Sequence, residues 1–176
     1  MPTNTDPNTL NEKGKQAFQS GQPDVAADLF HAAAEAYASA HDDLNAAESK
    51  NNLSVALLQS GKAQESFDAA YGTDDIFAKA GDLKRQGMAL GNQATALEAL
   101  KRFDEALAAY EHSASILAEA GEGDLRAMVL KSAAGIKLRK GKVTESAFKM
   151  MGSLESKQNP SIFDRILRAL LRLIQR

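Results

Sequence analysis

The 176-residue sequence contains neither cysteine nor tryptophan, and proline occurs only four times. The absence of cysteine excludes disulfide bonds, thiolate metal sites and a cysteine nucleophile. The scarcity of proline and the abundance of alanine favour helices, because alanine loses no side-chain entropy in a helix. No segment approaches the ~20 consecutive apolar residues of a membrane-spanning helix. The composition therefore predicts a helical protein without thiol chemistry.

The first residues, MPTNTDPNTLNEKG, lack the basic start and the apolar stretch of a secretory signal. We therefore expect a cytoplasmic protein, with peripheral attachment to a membrane as the alternative. Residues 1–7 are polar apart from Met1 and the two prolines, Pro2 and Pro7, and we expect them to form a short disordered lead.

Patterns typical of catalytic or metal sites are also missing. His31, His41 and His112 are far apart, and no two of them have the i, i+4 spacing of a helical zinc site. No glycine-rich segment is followed by the Gly-Lys-Ser/Thr of a phosphate-binding loop. The basic C-terminal part lacks the interleaved aromatic residues that stack on nucleic-acid bases. The sequence thus predicts no enzymatic activity, no cofactor, no metal and no nucleic-acid partner.

Charge is distributed unevenly along the chain. Residues 1–100 contain 7 basic and 14 acidic side chains, whereas residues 101–176 contain 14 basic and 9 acidic ones. From residue 125 onward, the sequence contains 12 basic and only 3 acidic residues. This asymmetry is either an uneven solvated surface or a means of attracting the basic part to an anionic surface or to the acidic part of another copy.

Small residues recur at intervals of 40 positions. The two clearest columns are Gly14, Ser54, Ala94 and Ala134, and Ala26, Ser66, Ala106 and Ser146. A fixed period in this range is typical of stacked repeats, in which each unit buries its apolar face against its neighbours. The small residues in these columns predict that the two helices of a pair approach closely. The period predicts helix pairs at about 8–20 and 23–40, 43–60 and 63–80, 83–100 and 103–120, and 124–140 and 143–157.

Glycines mark the expected ends of these helices. Gly21, Gly61 and Gly141 lie between the two helices of a pair, where a residue that accepts positive φ ends the first helix. Gly72 lies inside a predicted helix and therefore predicts a weak or kinked segment. Gln93 occupies the position of a leucine in the preceding unit, so it is either a polar gap in the inner face or an exposed contact residue.

The columns resemble those of tetratricopeptide repeat proteins. The unit at residues 90–121 shows this best, with Ala94, Leu97, the linker KRFDEAL and then Tyr110. Because the commonest repeats have about 34 residues, the 40-residue period is similar to the longer repeats of kinesin light chains and of cell-polarity scaffolds that bear G-protein regulatory motifs.

The resemblance implies an all-α fold, a right-handed α-solenoid of four helix-turn-helix repeats at 8–42, 43–82, 83–123 and 124–157. It also implies a concave groove, lined by the first helices, that binds a peptide or protein. In some members asparagines on that groove hold the peptide backbone, and an amide suits this role because it both donates and accepts hydrogen bonds. Solvated polar residues on a helix face are the alternative interpretation. The groove candidates are Asn52, Asn92, Val55, Gln59 and Thr95.

The last segment, residues 158–176, departs from the repeat. After Pro160, the sequence SIFDRILRALLRLIQR separates into an apolar half and a basic half on a helical wheel. Three roles remain open for this amphipathic helix: a cap on the last helix pair, a contact with another copy or a partner protein, and binding to an anionic membrane surface. The contact candidates are Ile162, Phe163, Ile166, Leu167, Leu170, Leu171, Leu173, Ile174, Arg165, Arg168 and Arg172.

Taken together, the sequence predicts a non-enzymatic scaffold or adaptor that binds a peptide or protein segment in its groove. The alternative is a peripheral membrane scaffold or a self-assembling scaffold that uses the C-terminal helix. Neither alternative identifies the partner.

Overall fold

The computed structural model describes residues 6–155, 165–167 and 169–170, and its regular secondary structure in this part of the chain is entirely α-helical. The predicted all-α class is therefore confirmed. Residue contacts divide the chain into two compact units, Met1–Ala133 and Ala134–Arg176. The helices are α1 (Pro7–Gln19), α2 (Pro23–Ser39), α3 (Asp43–Gln59), α4 (Ala63–Ala70), α5 (Thr73–Lys79), α6 (Leu83–Ala99), α7 (Phe103–Glu119) and α8 (Gly123–Glu155).

Six of these helices end in the same way, at positions 20 residues apart. One residue takes the left-handed conformation, with φ between 58° and 77°. The next residue then donates its N–H to a carbonyl five positions earlier, as Gln22 does to Ala17 at 2.9 Å. This bond satisfies a carbonyl that the helix end leaves without a partner. The left-handed residues are Gly21, His41, Gly61, Gly81, Lys101 and Gly121.

Aspartates cap the helices α1, α3 and α6. Asp6, Asp42 and Asp82 each accept a hydrogen bond from the backbone N–H three residues later, at 2.9–3.1 Å. Such caps satisfy N–H groups that have no partner within the helix. The helices α2, α4 and α7 begin without a side-chain cap, so their starting points depend more on packing.

Small residues let paired helices approach closely, as the columns predict. A Cβ atom added to Gly14 of α1 would lie 2.7 Å from the ring of Phe30 in α2. One added to Gly87 of α6 would lie 2.6 Å from Leu117 Cγ in α7. Large side chains fill the spaces beside these contacts, and none of the following is more than 5% exposed: Phe30, Tyr37, Phe77, Tyr110 and Leu117.

The weak point predicted at Gly72 is confirmed, and it is a complete break between α4 and α5. Gly72 has a φ of 76°. The carbonyl oxygen of Ala70 at the end of α4 accepts hydrogen bonds from Thr73 Oγ1 at 2.7 Å and from Gln93 Nε2 at 3.2 Å. Gln93 is buried and also donates to Asp74 Oδ1 at 2.7 Å. Of the two interpretations of Gln93, the buried one is confirmed, and the break explains why this position is polar.

The turn predicted at Gly141, between helices at 124–140 and 143–157, is wrong. Helix α8 continues through this position from Gly123 to Glu155, and Gly141 does not have a positive φ. A glycine inside a helix costs only about 1 kcal/mol relative to alanine, and the neighbouring Lys, Leu and Arg residues are strong helix formers. Ala134, which the column predicts at a close helix contact, is exposed in α8.

Candidate functional site

Three cavities in the first unit are neighbours, because each shares lining residues with the next. The small cavity, of about 150 Å³, and the middle cavity, of about 200 Å³, share Asn52 and Val55 of α3. The middle cavity and the large cavity, of about 650 Å³, share Met88 and Asn92 of α6. We refer to these three cavities together as the groove.

Two helix faces with the same spacing line the groove. Steps of four and three residues bring side chains to one face of an α-helix. Residues 51–60 and 91–100 also have the same burial class at every position. The 40-residue period therefore presents equivalent faces of α3 and α6 to the groove. The side chains concerned are Glu48, Asn52 and Val55 on α3, and Met88, Asn92 and Thr95 on α6.

The structure brings together four of the five residues that the sequence analysis places in a groove. Asn52 and Val55 line the small and middle cavities, Asn92 the middle and large ones, and Thr95 the large one. Gln59 is exposed at the last position of α3 and is not among the lining residues of any of the three cavities. Gln59 therefore lies apart from the other four candidates.

The amide side chains in the groove are weakly engaged. Asn92 Nδ2 lies 3.4 Å from Asn51 Oδ1, and Thr73 Oγ1 lies 3.4 Å from the same oxygen. Both distances exceed the usual 2.7–3.0 Å or so for such bonds. Asn52 makes no side-chain hydrogen bond to any residue that the structure describes. The amides of Asn52 and Asn92 thus keep most of their capacity to bind a ligand.

The charged wall of the middle cavity is held in a network. Arg85 lies 3.0 Å from Glu48 Oε2 and 2.7 Å from Asp82 Oδ2, and its guanidinium carbon is 5.1 Å from the centre of the Phe77 ring. Partial burial alone would lower the pKa of Arg85, but the hydrogen bonds to Asp82 and Glu48 outweigh it and raise the pKa. The guanidinium of Arg85 therefore bridges two carboxylates, those of Glu48 and Asp82.

The large cavity has an apolar lining with a polar edge. Met88 and Met128 are 42% and 66% exposed, and Leu125 and Val129 of α8 lie beside them. Flexible methionine side chains adapt to ligands of different shapes. At the polar edge, the Tyr110 hydroxyl lies within 3.1 Å of Thr95 Oγ1 and Glu98 Oε2, and burial raises its pKa. This cavity has the volume and lining to hold a large apolar side chain.

Several lining residues were not predicted from the sequence, although one signal was present. Glu48 and Met88 precede Asn52 and Asn92 by four residues, and residues one helical turn apart share a face. The α8 wall of the large cavity, including Leu125 and Lys131, carries no comparable signal. Its contribution depends on how the beginning of α8 packs within the first unit.

The C-terminal contact candidates are described only in part. Arg165, Ile166, Leu167 and Leu170 are helical, and Ile166 and Leu170 are 56% and 54% exposed. These two apolar side chains lie one helical turn apart and so share a face. The remaining candidates lie outside the described residues: Ile162, Phe163, Arg168, Leu171, Arg172, Leu173 and Ile174.

The described residues show neither of the two remaining kinds of site, a metal centre or a membrane-spanning helix. Within residues 6–155, 165–167 and 169–170, no group of three or more His, Asp or Glu side chains is placed to hold a metal ion. None of the helices in those ranges is both long and apolar enough to cross a membrane.

Comparison with known proteins assigns the chain to no family. No protein-family model matches the sequence, and no curated protein matches it.

Proposed function

We propose that this protein is a non-enzymatic scaffold that binds an extended segment of a partner protein in the groove. The observation that carries the proposal is the row of three neighbouring cavities, in which Asn52 lines the small and middle cavities and Asn92 the middle and large ones. These two residues present weakly engaged amides at equivalent positions of α3 and α6. An extended backbone offers alternating donors and acceptors, and an asparagine amide can bind both.

The cavity volumes indicate which side chains of the bound segment each cavity accepts. Its backbone binds Asn52 and Asn92, and a large apolar side chain enters the large cavity beside Met88 and Met128. The small and middle cavities, with volumes of about 150 and 200 Å³, accept smaller side chains. Main-chain bonds then supply affinity for any extended segment, and the large cavity supplies preference for one with a bulky apolar residue.

We propose further that the helices form a right-handed solenoid of tetratricopeptide-like repeats. Two features support this: left-handed residues every 20 positions, and matching burial 40 positions apart. In such an arrangement α1, α3 and α6 are the first helices of successive repeats, and these are the helices that carry the aspartate caps. The groove then lies where first helices bind peptides in the family that the sequence resembles.

A binding experiment on the full chain tests the proposed function. Peptides that bind the wild-type protein are selected from a random library, and their Kd values are measured by fluorescence anisotropy. Asn52→Ala and Asn92→Ala are each expected to weaken binding about 10-fold, because one hydrogen bond contributes about 1–1.5 kcal/mol. A substitution that introduces charge into the large cavity, Met88→Glu, is expected to abolish binding of peptides with a bulky apolar residue.

Gln59→Ala provides the matched control, since Gln59 is a polar residue of α3 outside the groove cavities. It should change the Kd by less than about twofold. Circular dichroism checks that every variant keeps its helical content. Equal affinities of wild type and of the Asn52→Ala/Asn92→Ala variant would contradict the proposed role of the amides.

A further inference from the structure

A fourth cavity, of about 600 Å³, lies among α2, α3 and α4 and shares no lining residue with the groove. Its floor is apolar. Ala27, Ala34, Leu53 and Leu57 line it, and each is at most 8% exposed. These side chains are almost completely buried, so the floor exposes only a small apolar area, and an apolar side chain of a partner would cover that area favourably.

The rim of this cavity is acidic. Asp28 and Glu35 of α2 and Glu65 and Asp68 of α4 are all exposed carboxylates. Two lysines also line the cavity, but Lys62 is paired with Asp24 at 2.9 Å. His31 lies 3.7 Å from Glu35. The rim therefore retains a net negative charge, and we call this feature the acidic cavity.

An exposed tyrosine borders the acidic cavity where α4 ends. Tyr71 follows the last residue of α4 and is 71% exposed, with its ring centre 5.6 Å from that of Phe67. Tyrosines of this kind are common at the centre of protein interfaces, because they bring a large apolar area and a hydroxyl at little entropic cost. The break at Gly72 thus adds an aromatic contact to an apolar floor and an acidic rim.

The chain itself contains a segment with the complementary chemistry. Residues 161–176 carry four arginines and one aspartate, and the sequence pattern separates these charges from an apolar half. The described helical residues of this segment leave Ile166 and Leu170 more than half exposed, one turn apart. An apolar helix face fits an apolar floor, and flanking arginines fit flanking carboxylates.

We infer that the acidic cavity binds the C-terminal amphipathic segment of a second copy, so that the protein self-associates through this contact. The arginines of the segment and the carboxylates of the rim attract each other when the segment and the cavity belong to different copies. Reciprocal exchange of the two segments gives a closed symmetric dimer, the commonest form of homo-oligomer. This contact does not use the groove. An experiment that disproves the dimer would therefore not count against the proposed peptide binding.

Charge reversal on each side tests the contact in the full chain. The rim variant is Glu35→Arg/Glu65→Arg, and the segment variant is Arg168→Glu/Arg172→Glu. Light scattering should give the wild type twice the 18.8 kDa mass of one chain. Each variant alone should give 18.8 kDa, because like charges then face each other across the contact. An equimolar mixture of the two variants should return to the doubled mass. In a mixed pair, the basic rim of one variant meets the acidic segment of the other, and the acidic rim meets the basic segment.

Glu111→Arg/Glu119→Arg on α7 is the matched control, with the same charge change on exposed residues outside the acidic cavity. It should remain a dimer, as should Asn52→Ala/Asn92→Ala. A wild type that stays at 18.8 kDa across micromolar concentrations overturns the inference. A mixture of the rim and segment variants that fails to associate, with both variants still helical, also overturns it. Vesicles of anionic lipid that bind the wild type and the rim variant equally, without any dimer in solution, identify a lipid surface as the occupant instead.

Discussion

The carbonyl oxygen of Ala70 illustrates how single residues determine this structure. It lies at a helix break inside the first unit, where a buried acceptor without a partner would cost about 1–3 kcal/mol. Thr73 and Gln93 both donate to it. The polar residue at position 93 therefore belongs to the break at Gly72, although the two lie 21 positions apart in the sequence.

We predict that Gln93→Leu lowers the free energy of unfolding by about 1–2 kcal/mol. Leucine occupies the equivalent position 53, but at position 93 it would remove the bonds to Ala70 and to Asp74. Urea denaturation measures the effect. Gln16→Leu at an exposed site of α1 is the control and should change stability by less than about 0.5 kcal/mol. A Gln93→Leu protein as stable as wild type would show that apolar burial compensates for the lost bonds.

Asp82 gives a second prediction, on the dependence of stability on pH. The backbone N–H of Arg85 donates to the carboxylate of Asp82 and is the largest influence on its pKa; together with the guanidinium of Arg85 it outweighs partial burial and lowers the pKa below 3.8. Because the folded-state pKa is the lower one, the carboxylate stabilises the fold fully above pH 3.8. This contribution is lost as the pH falls through the folded-state pKa.

Asp82→Asn isolates the charge, since asparagine is also a good helix cap. The difference in unfolding free energy between wild type and this variant should be constant from neutral pH down to about pH 5 and should shrink below about pH 4. Chemical denaturation across this range measures it. A difference that does not change with pH would show that the charge of Asp82 makes no contribution.

At the scale of whole elements, the helix ends follow a simple rule that fails at one place. A left-handed residue ends a helix at every twentieth position from 21 to 121, yet the helix continues through 141. His41 and Lys101 show that this end does not require glycine. Conversely, Gly141 shows that glycine alone does not create it. The tertiary contacts of the next helix are needed as well, and these are not visible in a local sequence pattern.

We predict opposite effects of alanine at two glycines of the same column. Gly61→Ala should lower stability by about 1 kcal/mol, because Gly61 has a φ of 77° and alanine is strained there. Gly141→Ala should raise helix stability by up to about 1 kcal/mol, because Gly141 is inside α8 and an added Cβ meets nothing within 4 Å. Thermal unfolding followed by circular dichroism compares the two. Destabilisation by Gly141→Ala would indicate a turn at this position.

At the scale of the whole molecule, the sequence predicts four residues that line the groove, but it predicts neither where the groove ends on α3 nor that α8 forms one of its walls. Asn52, Val55, Asn92 and Thr95 were predictable because the period and the helical spacing together assign them to one face. Gln59 fits the same spacing but lies at the end of α3, outside the cavities. The wall formed by the beginning of α8 was not predictable, because the pattern predicts a helix at 124–140 but gives no indication that this helix faces the large cavity.

The two proposed contacts use different surfaces of the first unit and therefore combine. A dimer formed through the acidic cavity would carry two grooves. A partner protein with two suitable segments would bind such a dimer more tightly than either groove alone allows, because the second binding step is intramolecular. Disrupting the dimer should then weaken binding of a two-segment partner and leave binding of a single peptide unchanged.

The position of Tyr71 has an optical consequence. Without tryptophan, the ultraviolet emission of this protein comes from its three tyrosines. Tyr37 and Tyr110 are at most 5% exposed, whereas Tyr71 is 71% exposed at the edge of the acidic cavity. A neutral quencher such as acrylamide therefore reaches one tyrosine far more readily than the other two. The fraction of tyrosine fluorescence that acrylamide can quench should therefore fall when the acidic cavity is covered. This measurement needs no label on the protein.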